Sequence, residues 1–255
     1  MASTSEPLPA NLPHGHKFTS YVLDAPRYSQ HLGKQVLAKG IPIVRRRLTT
    51  LDEAYNLPGL GPVDLVVNAT GLGARSLVGV MDRDVYPARG QTVLVRAPKV
   101  RRCIMMADAF TANMRVKDGD KGESLTVEVL RALIAAPPPP PYIIPRPGKE
   151  GHVVCGGTYG RHDYSTLPDL EAAEQILQGC FELDPQLANG GTSWKDIEVV
   201  SINVGLRPSR QGGARVELEQ RKLGDGARDA GPRVPPKDAG REVGVIHAYG
   251  FGGVG

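Results

Sequence analysis

The sequence predicts a mixed α/β fold, in which a nucleotide-type sheet with parallel strands is interrupted by an inserted region of antiparallel hairpins. Three observations carry that expectation. "DLVVNA" (64–69) is an apolar run that passes directly into the glycine turn "TGLGAR". A second strand-to-glycine turn, "VIHAYGFGGVG", occupies residues 245–255. Between them, "YIIPRP" (142–147) and "HVVCGGTYG" (152–160) have the pattern of a β-hairpin.

The remaining elements follow in chain order. Residues 1–16 are polar and proline-rich and read as a disordered lead-in. Residues 26–38 form a helical pattern, with Pro26 at the first position and Gly40 placed as a C-terminal cap. "IPIVRRRLTT" (41–50) alternates as a strand would, and "LDEAYN" (51–56) reads as a short helix or turn. "DLVVNA" itself has the continuous apolar character of a strand buried on both faces. "RGQTVLVRAP" (89–98), "DIEVVSINVGLRP" (196–208) and "REVGVIHAYG" (241–250) supply further strands. Residues 168–185 carry the best helical signal, with Leu170, Ala173, Ile176, Leu177, Cys180 and Phe181 on a 3.6-residue period and acidic residues at the N-terminal end. Residues 111–141, with a helical stretch and five consecutive prolines, and the Gly, Pro and charge-rich 224–240 read as an insertion and a surface loop.

Composition narrows the function classes. Hydrophobic residues make up 40% and charged residues 23% of 255, ordinary for a globular protein. Aromatics are 5% and the formal charge is only +4, so neither a stacking platform nor a basic field for nucleic acid is expected. Cys103, Cys155 and Cys180 stand apart without C-x-x-C spacing, which argues against a metal site and a disulfide framework and favours a reducing compartment. No run approaches the length of a membrane span, and the N-terminal residues lack the apolar core of a secretory signal.

Chemistry-bearing motifs are few. "TGLGAR" gives G-x-G without the third glycine of the dinucleotide fingerprint, so on pattern alone it reads as a strand-to-helix turn rather than a dinucleotide site. There is no nucleophile elbow, P-loop, H-E-x-x-H or spaced carboxylate pair. His247 lies in an apolar strand and reads as a satisfied core histidine rather than a catalytic one. Arg207, at a strand end beside Pro208, has the setting of a bidentate carboxylate or phosphate clamp, and Tyr142 could extend its hydroxyl to a polar ligand. Taken singly, each of the two reads as a structural residue before a binding one.

Taken in order, "YVLDAPRYSQHL", "DLVVNATGLGARSL", "RGQTVLVRAP", "YIIPRPG", "GGTYG", "NVGLRPSR" and "HAYGFGG" resemble the D-amino-acid oxidase family, and the fungal-type members most. The resemblance implies a partial FAD-binding, dinucleotide-type sheet (17–90 and 196–255) with an inserted antiparallel-sheet substrate-binding domain (91–195). It implies oxidative deamination of D-amino acids to 2-oxo acids, ammonia and hydrogen peroxide, with FAD as cofactor and molecular oxygen as co-substrate. On this likeness Arg207 clamps the substrate carboxylate, the Tyr142 hydroxyl assists it, and the Gly253 backbone receives the amino group. Gly252, Gly253 and Gly255, together with Arg207, fall at flavin-contacting positions. Leu48 and Thr70 fall near the adenosine half. No residue is implied as an acid–base catalyst, because hydride passes to the flavin. The family's second active-site tyrosine aligns with about Arg101, a departure that bears on substrate preference.

The family's opening G-x-G-x-x-G unit is not found in residues 1–16, and its flavin-covering final helix would follow Gly255. These two features predict a chain truncated at both ends, with poor FAD retention and an exposed apolar edge at 64–69. The family's peroxisomal location is likewise an expectation, although "GVG" is no targeting tripeptide, and a cytoplasmic location is the other one. The partners implied are a small D-amino acid and oxygen, with a homodimer allowed and neither nucleic acid nor membrane expected. Three functional readings follow: D-amino-acid oxidase, D-aspartate oxidase with Arg101 or Arg102 facing the substrate side chain, and an inactive fragment or interaction protein that cannot hold FAD.

Overall fold

The structure, a computed structural model, describes residues 15, 17–106, 140–148, 150–224 and 239–253. The lead-in at 1–16 except Gly15, most of the 111–141 insertion, most of the 224–240 loop and Gly255 therefore lie outside the described residues. The chain separates into two compact units. The first gathers the described residues of Met1–Pro42, Gly90–Tyr159 and Thr166–Gly205; the second gathers those of Ile43–Arg89, Gly160–Ser165 and Leu206–Gly255. The strands β2 (Val85–Arg96) and β7 (Val199–Arg210) contribute residues to both.

In the first unit, β3 (Ile104–Met105), β4 (Tyr142–Pro145), β5 (His152–Gly156) and β2 form an antiparallel array in that order. β4 and β5 pair as the predicted hairpin, with Ile143 opposite Cys155, and β5 pairs β2 with Val153 opposite Val95. The faces alternate as period-2 strands require. Val93, Val95, Ile143, Val153 and Cys155 point to one side and are buried there against α2 (Leu170–Leu183). The helix presents Ala173, Ile176, Leu177 and Cys180, the i, i+3, i+4, i+7 stripe that the sequence predicts, and adds Leu183, while the expected Phe181 is only partly buried. Leu170, expected on that stripe, is instead exposed at the helix start.

Asp169 caps α2 by accepting from the Ala172 amide at 3.1 Å. The buried Gln91 side chain then grips the cap residue twice, donating to its carbonyl at 2.6 Å and accepting from its amide at 2.8 Å. One side-chain amide thus does what a neighbouring strand would do. Helix α1 (Ala25–Ala38) forms where expected, with Asp24 as N-cap and Gly40 at φ +71° beyond its end, but none of its residues is buried.

In the second unit, β1 (Leu65–Asn68), β9 (Glu242–Tyr249) and β8 (Arg215–Lys222) form a three-stranded sheet with β9 central. β1 runs parallel to β9 with Leu65 opposite Gly244 and Asn68 opposite His247. β8 runs antiparallel to β9 with Arg215 opposite Tyr249. One face packs on the Leu51, Tyr55, Leu77, Leu223, Val243 and Val245 cluster. The other carries Leu65, Val67, Val216 and Leu218, which are 52%, 60%, 66% and 62% exposed. The burial of β1 on both faces expected from its apolar run is therefore not found; only its Val66 and Asn68 face is covered, and the exposed apolar edge is.

The strand expected at 41–50 is also absent. Thr50 makes a single bridge to Val78, and Ile41, Ile43 and Val44 are exposed. An alternating pattern forms a strand only when a ladder partner satisfies its amides and carbonyls, and no described strand lies beside this segment. The next six residues, Leu51–Asn56, make a 3₁₀ turn closed by a capping box in which Glu53 accepts from the Thr50 amide at 3.0 Å.

Candidate active site

The parallel register of β1 and β9 brings two glycine turns to one edge of the second unit. Ligands of such sheets bind beyond the carboxyl ends of the strands. There the chain leaves β1 through Thr70 and Gly71, and leaves β9 through Gly250 to Gly253. Gly250 and Gly252 have φ of +85° and +67°, which a side chain rarely tolerates. A Cβ on Gly250 would also stand 2.7 Å from that of Arg210.

The end of β7 meets both turns. Gly252 donates its amide to the Pro208 carbonyl at 2.9 Å, and Phe251 bridges Ser209. A Cβ on Gly71 would touch the Pro208 ring at 3.4 Å. A Cβ on Gly253 would stand 3.0 Å from Arg207 Cδ and 3.2 Å from its Nε, so the arginine stem lies along bare backbone. The structure thus gathers Thr70, Arg207, Gly252 and Gly253 at one edge. Leu48, in the same unit, packs against the Leu51 and Tyr55 cluster. Gly255 is outside the described residues.

Tyr142 belongs to the first unit, at the start of β4. Its ring lies over the backbone of Gly156 and Gly157: a Cβ on Gly156 would overlap the ring, and one on Gly157 would be 2.8 Å from the hydroxyl. The first two glycines of "GGTYG" are therefore required by the tyrosine beside them. Below, the Cys180 thiol donates to the Tyr142 carbonyl at 3.4 Å. Contact with Cys180 and burial both push the Cys155 thiol up, so Cys155 behaves as inert core. Cys103, Cys155 and Cys180 are all free thiols.

A chain of polar side chains runs behind the second unit's edge. The Thr70 hydroxyl and amide donate to Asn68 Oδ1 at 2.7 and 3.3 Å. Asn68 Nδ2 lies 3.1 Å from His247 Nδ1, and His247 Nε2 lies 3.1 Å from Glu219 Oε2. Arg215 contacts Glu219 at 3.3 Å and donates to the Tyr249 hydroxyl at 3.1 Å. Tyr249 donates to Asp82 Oδ2 at 2.8 Å, and Arg210 Nε donates to the same oxygen at 2.8 Å. Burial pushes the Asp82 carboxyl up, but the bonds from Arg210, Tyr249 and the Asp84 amide outweigh it and hold the group below its ordinary range. Burial lowers His247 despite the opposing Glu219 carboxylate. The polar end of "DLVVN" was the visible signal for Asn68; Glu219 had none, because β8 was not recognisable.

Among the described residues no group of three or more His, Cys, Asp or Glu side chains could hold a metal ion, and no helix is long and apolar enough to cross a membrane. Two neighbouring cavities of about 260 and 240 Å³ lie in the first unit around Arg146, Gly148 and His152. The turn edge holds a guanidinium, a hydroxyl and exposed glycine backbone, which are groups for binding and orienting. Bare backbone on both turns suits the close approach of a flat, phosphate-bearing cofactor, so the residues present fit such a group.

Residues 2–255 match the FAD dependent oxidoreductase family. The D-amino-acid oxidase of Schizosaccharomyces pombe is 32% identical over 97% of this chain and 57% of its own length. The D-aspartate oxidase of Talaromyces thermophilus is also 32% identical, over 97% of this chain and 52% of its own. The chain thus spans about half the length of the curated relatives it matches. Among solved structures, the L-proline dehydrogenase of P. horikoshii superposes with a TM-score of 0.48 at 14% identity, covering 89% of this chain and 50% of that one.

Proposed function

The chain belongs to the FAD dependent oxidoreductase family, and on that premise we propose that it serves the FAD-dependent oxidative deamination of D-amino acids to 2-oxo acids, ammonia and hydrogen peroxide. One observation carries the reading: two glycine turns converge on the Arg207 end of β7 at the carboxyl edge of parallel strands. FAD, when bound, supplies hydride acceptance and subsequent reaction with oxygen. Thr70, Gly252 and Gly253 would hold it, with Leu48 and Gly255 as the further contacts that the family likeness assigns.

Arg207 offers a permanent positive charge and a planar pair of donors to the substrate carboxylate, which fixes the α-carbon rather than activating it. The Gly253 backbone receives the amino group. The family likeness assigns Tyr142 the hydroxyl that assists the carboxylate. A peroxisomal setting is part of the same proposal.

The D-aspartate reading rests on one observation, the equal identity to a relative named D-aspartate oxidase. Peroxide release from D-alanine and from D-aspartate, measured on a preparation showing flavin absorbance, separates the two. Faster turnover of D-alanine supports the first reading, faster turnover of D-aspartate the second, and no peroxide from either overturns both. Arg207→Ala should raise KM on the order of a hundredfold, since it removes a charge-assisted bidentate contact of about 3 kcal/mol. An unchanged KM would reject Arg207 as the clamp.

A further inference from the structure

The direction of each hydrogen bond behind the turn edge can be worked out from one unambiguous donor. The Thr70 backbone amide can only donate, and it points at one Asn68 side-chain atom at 3.3 Å. That atom must be the amide oxygen, which also accepts from the Thr70 hydroxyl at 2.7 Å. The Asn68 nitrogen therefore faces His247 Nδ1 at 3.1 Å and donates to it. Nδ1 is then unprotonated, the ring proton sits on Nε2, and it is donated to Glu219 at 3.1 Å. Every buried polar atom in the row is satisfied only in this one arrangement.

We propose that His247 is a positioning residue of the site: held as the neutral Nε2–H tautomer between Glu219 and Asn68, it fixes the Asn68 amide so that the Thr70 hydroxyl donates inward and presents an acceptor-only oxygen to a ligand hydroxyl or amino group. His247 and Asn68 are buried, whereas Thr70 is exposed at the edge. The imidazole is enclosed by groups from all three strands. Asn68 faces it from β1, Glu217 stands opposite it in register and Glu219 bonds it from β8, with Arg215 on the same strand. Tyr249 packs edge-on at 5.8 Å along β9.

A second proton on Nδ1 would set two donors against each other. The Asn68 amide would have to flip, leaving the Thr70 amide without its acceptor and reversing the polarity of the hydroxyl. The choice of a hydroxyl or amino ligand, as on a ribose or an adenine, rests on the flavin reading; the tautomer does not.

The test has two arms. ¹⁵N–¹H spectra of the wild-type chain at neutral pH should show His247 protonated at Nε2 alone. Asn68→Asp replaces the donor with an acceptor and should raise the pH at which His247 titrates. Glu219→Gln keeps a carbonyl oxygen for Nε2–H and should retain the neutral tautomer. A wild-type Nδ1–H tautomer, which needs no variant to detect, would overturn the relay, as would unchanged titration in a folded Asn68→Asp chain. In the second arm FAD and AMP are titrated against wild type, Thr70→Ser and Thr70→Val. Serine should bind as wild type and valine roughly fivefold more weakly. Equal binding of valine would overturn the acceptor role. Failure of the wild type to bind either probe would overturn the flavin reading, while the spectra still decide the relay.

Discussion

On the sheet of the first unit, the face turned to the core carries Val93, Val95, Ile143, Val153 and Cys155, and α2 covers it. On β8 in the second unit the arrangement is reversed. Arg215, Glu217, Glu219 and Arg221 lie on the same side as the core residues Val243, Val245 and Tyr249 of β9, while Val216 and Leu218 face outward. The first sheet is organised by apolar area removed from water. The second is organised by a row of charged and hydrogen-bonded side chains around the buried His247, Tyr249 and Asp82, whose polar atoms need partners because they are taken out of water. Only the second arrangement fixes donors and acceptors in direction, and it is the one that lies behind the candidate site.

The sharpest way to break that contrast is Asp82→Ala. It leaves the Arg210 guanidinium and the Tyr249 hydroxyl facing a void, and should cost about 3–5 kcal/mol in denaturant unfolding. A loss under 1 kcal/mol would mean that the row is incidental. Ile143→Ala in the first unit should cost about 2–5 kcal/mol through lost burial and a residual cavity. Its effect should stay unchanged as pH falls below about 4, whereas the Asp82→Ala loss should shrink there as Asp82 takes up its proton.

Acid should distinguish the units more finely. His247 is held below its ordinary 6.5 and Asp82 below 3.8. The unfolded chain therefore takes up a proton at His247 before the folded chain does. Stability from this group is complete above about 6.5 and declines as pH falls from there toward the lowered folded value. The Asp82 contribution is complete above about 4 and is lost only as pH falls through its own lowered value. Unfolding followed from pH 8 to 3 should show both declines in wild type, and His247→Gln should remove the first. The smallest effect belongs to the outward face: Leu218→Lys should change stability by no more than about 0.5 kcal/mol. A larger loss would show that the face is covered in solution.

Much of this was legible in advance. The hairpin at 142–156, the helix at 170–183 and the strand-to-glycine turns after residues 68 and 249 appear where local patterns place them. Each is specified by short-range signals: alternation, a 3.6-residue stripe with an aspartate cap, and glycine where φ must be positive. β8 was not legible, because the pattern "RVELEQRK" puts its charges on the core side, and alternation alone does not say which face turns inward. The strand expected at 41–50 failed for the converse reason: its pattern was adequate, but no described neighbour completes a ladder.

For the site, the sequence by itself determined the residue types and their family likeness: an arginine at a strand end, a tyrosine opening "YIIPRPG", and two glycine turns. Tertiary structure decided which of them meet. Parallel pairing of β1 with β9 across nearly 180 residues of chain brings Thr70 and Gly252 to one edge, where Pro208 of β7 meets both turns and Arg207 lies against Gly253. The same pairing sets His247 against Asn68. A histidine's tautomer depends on which atoms surround it, and those atoms come from strands that no local pattern could have placed together.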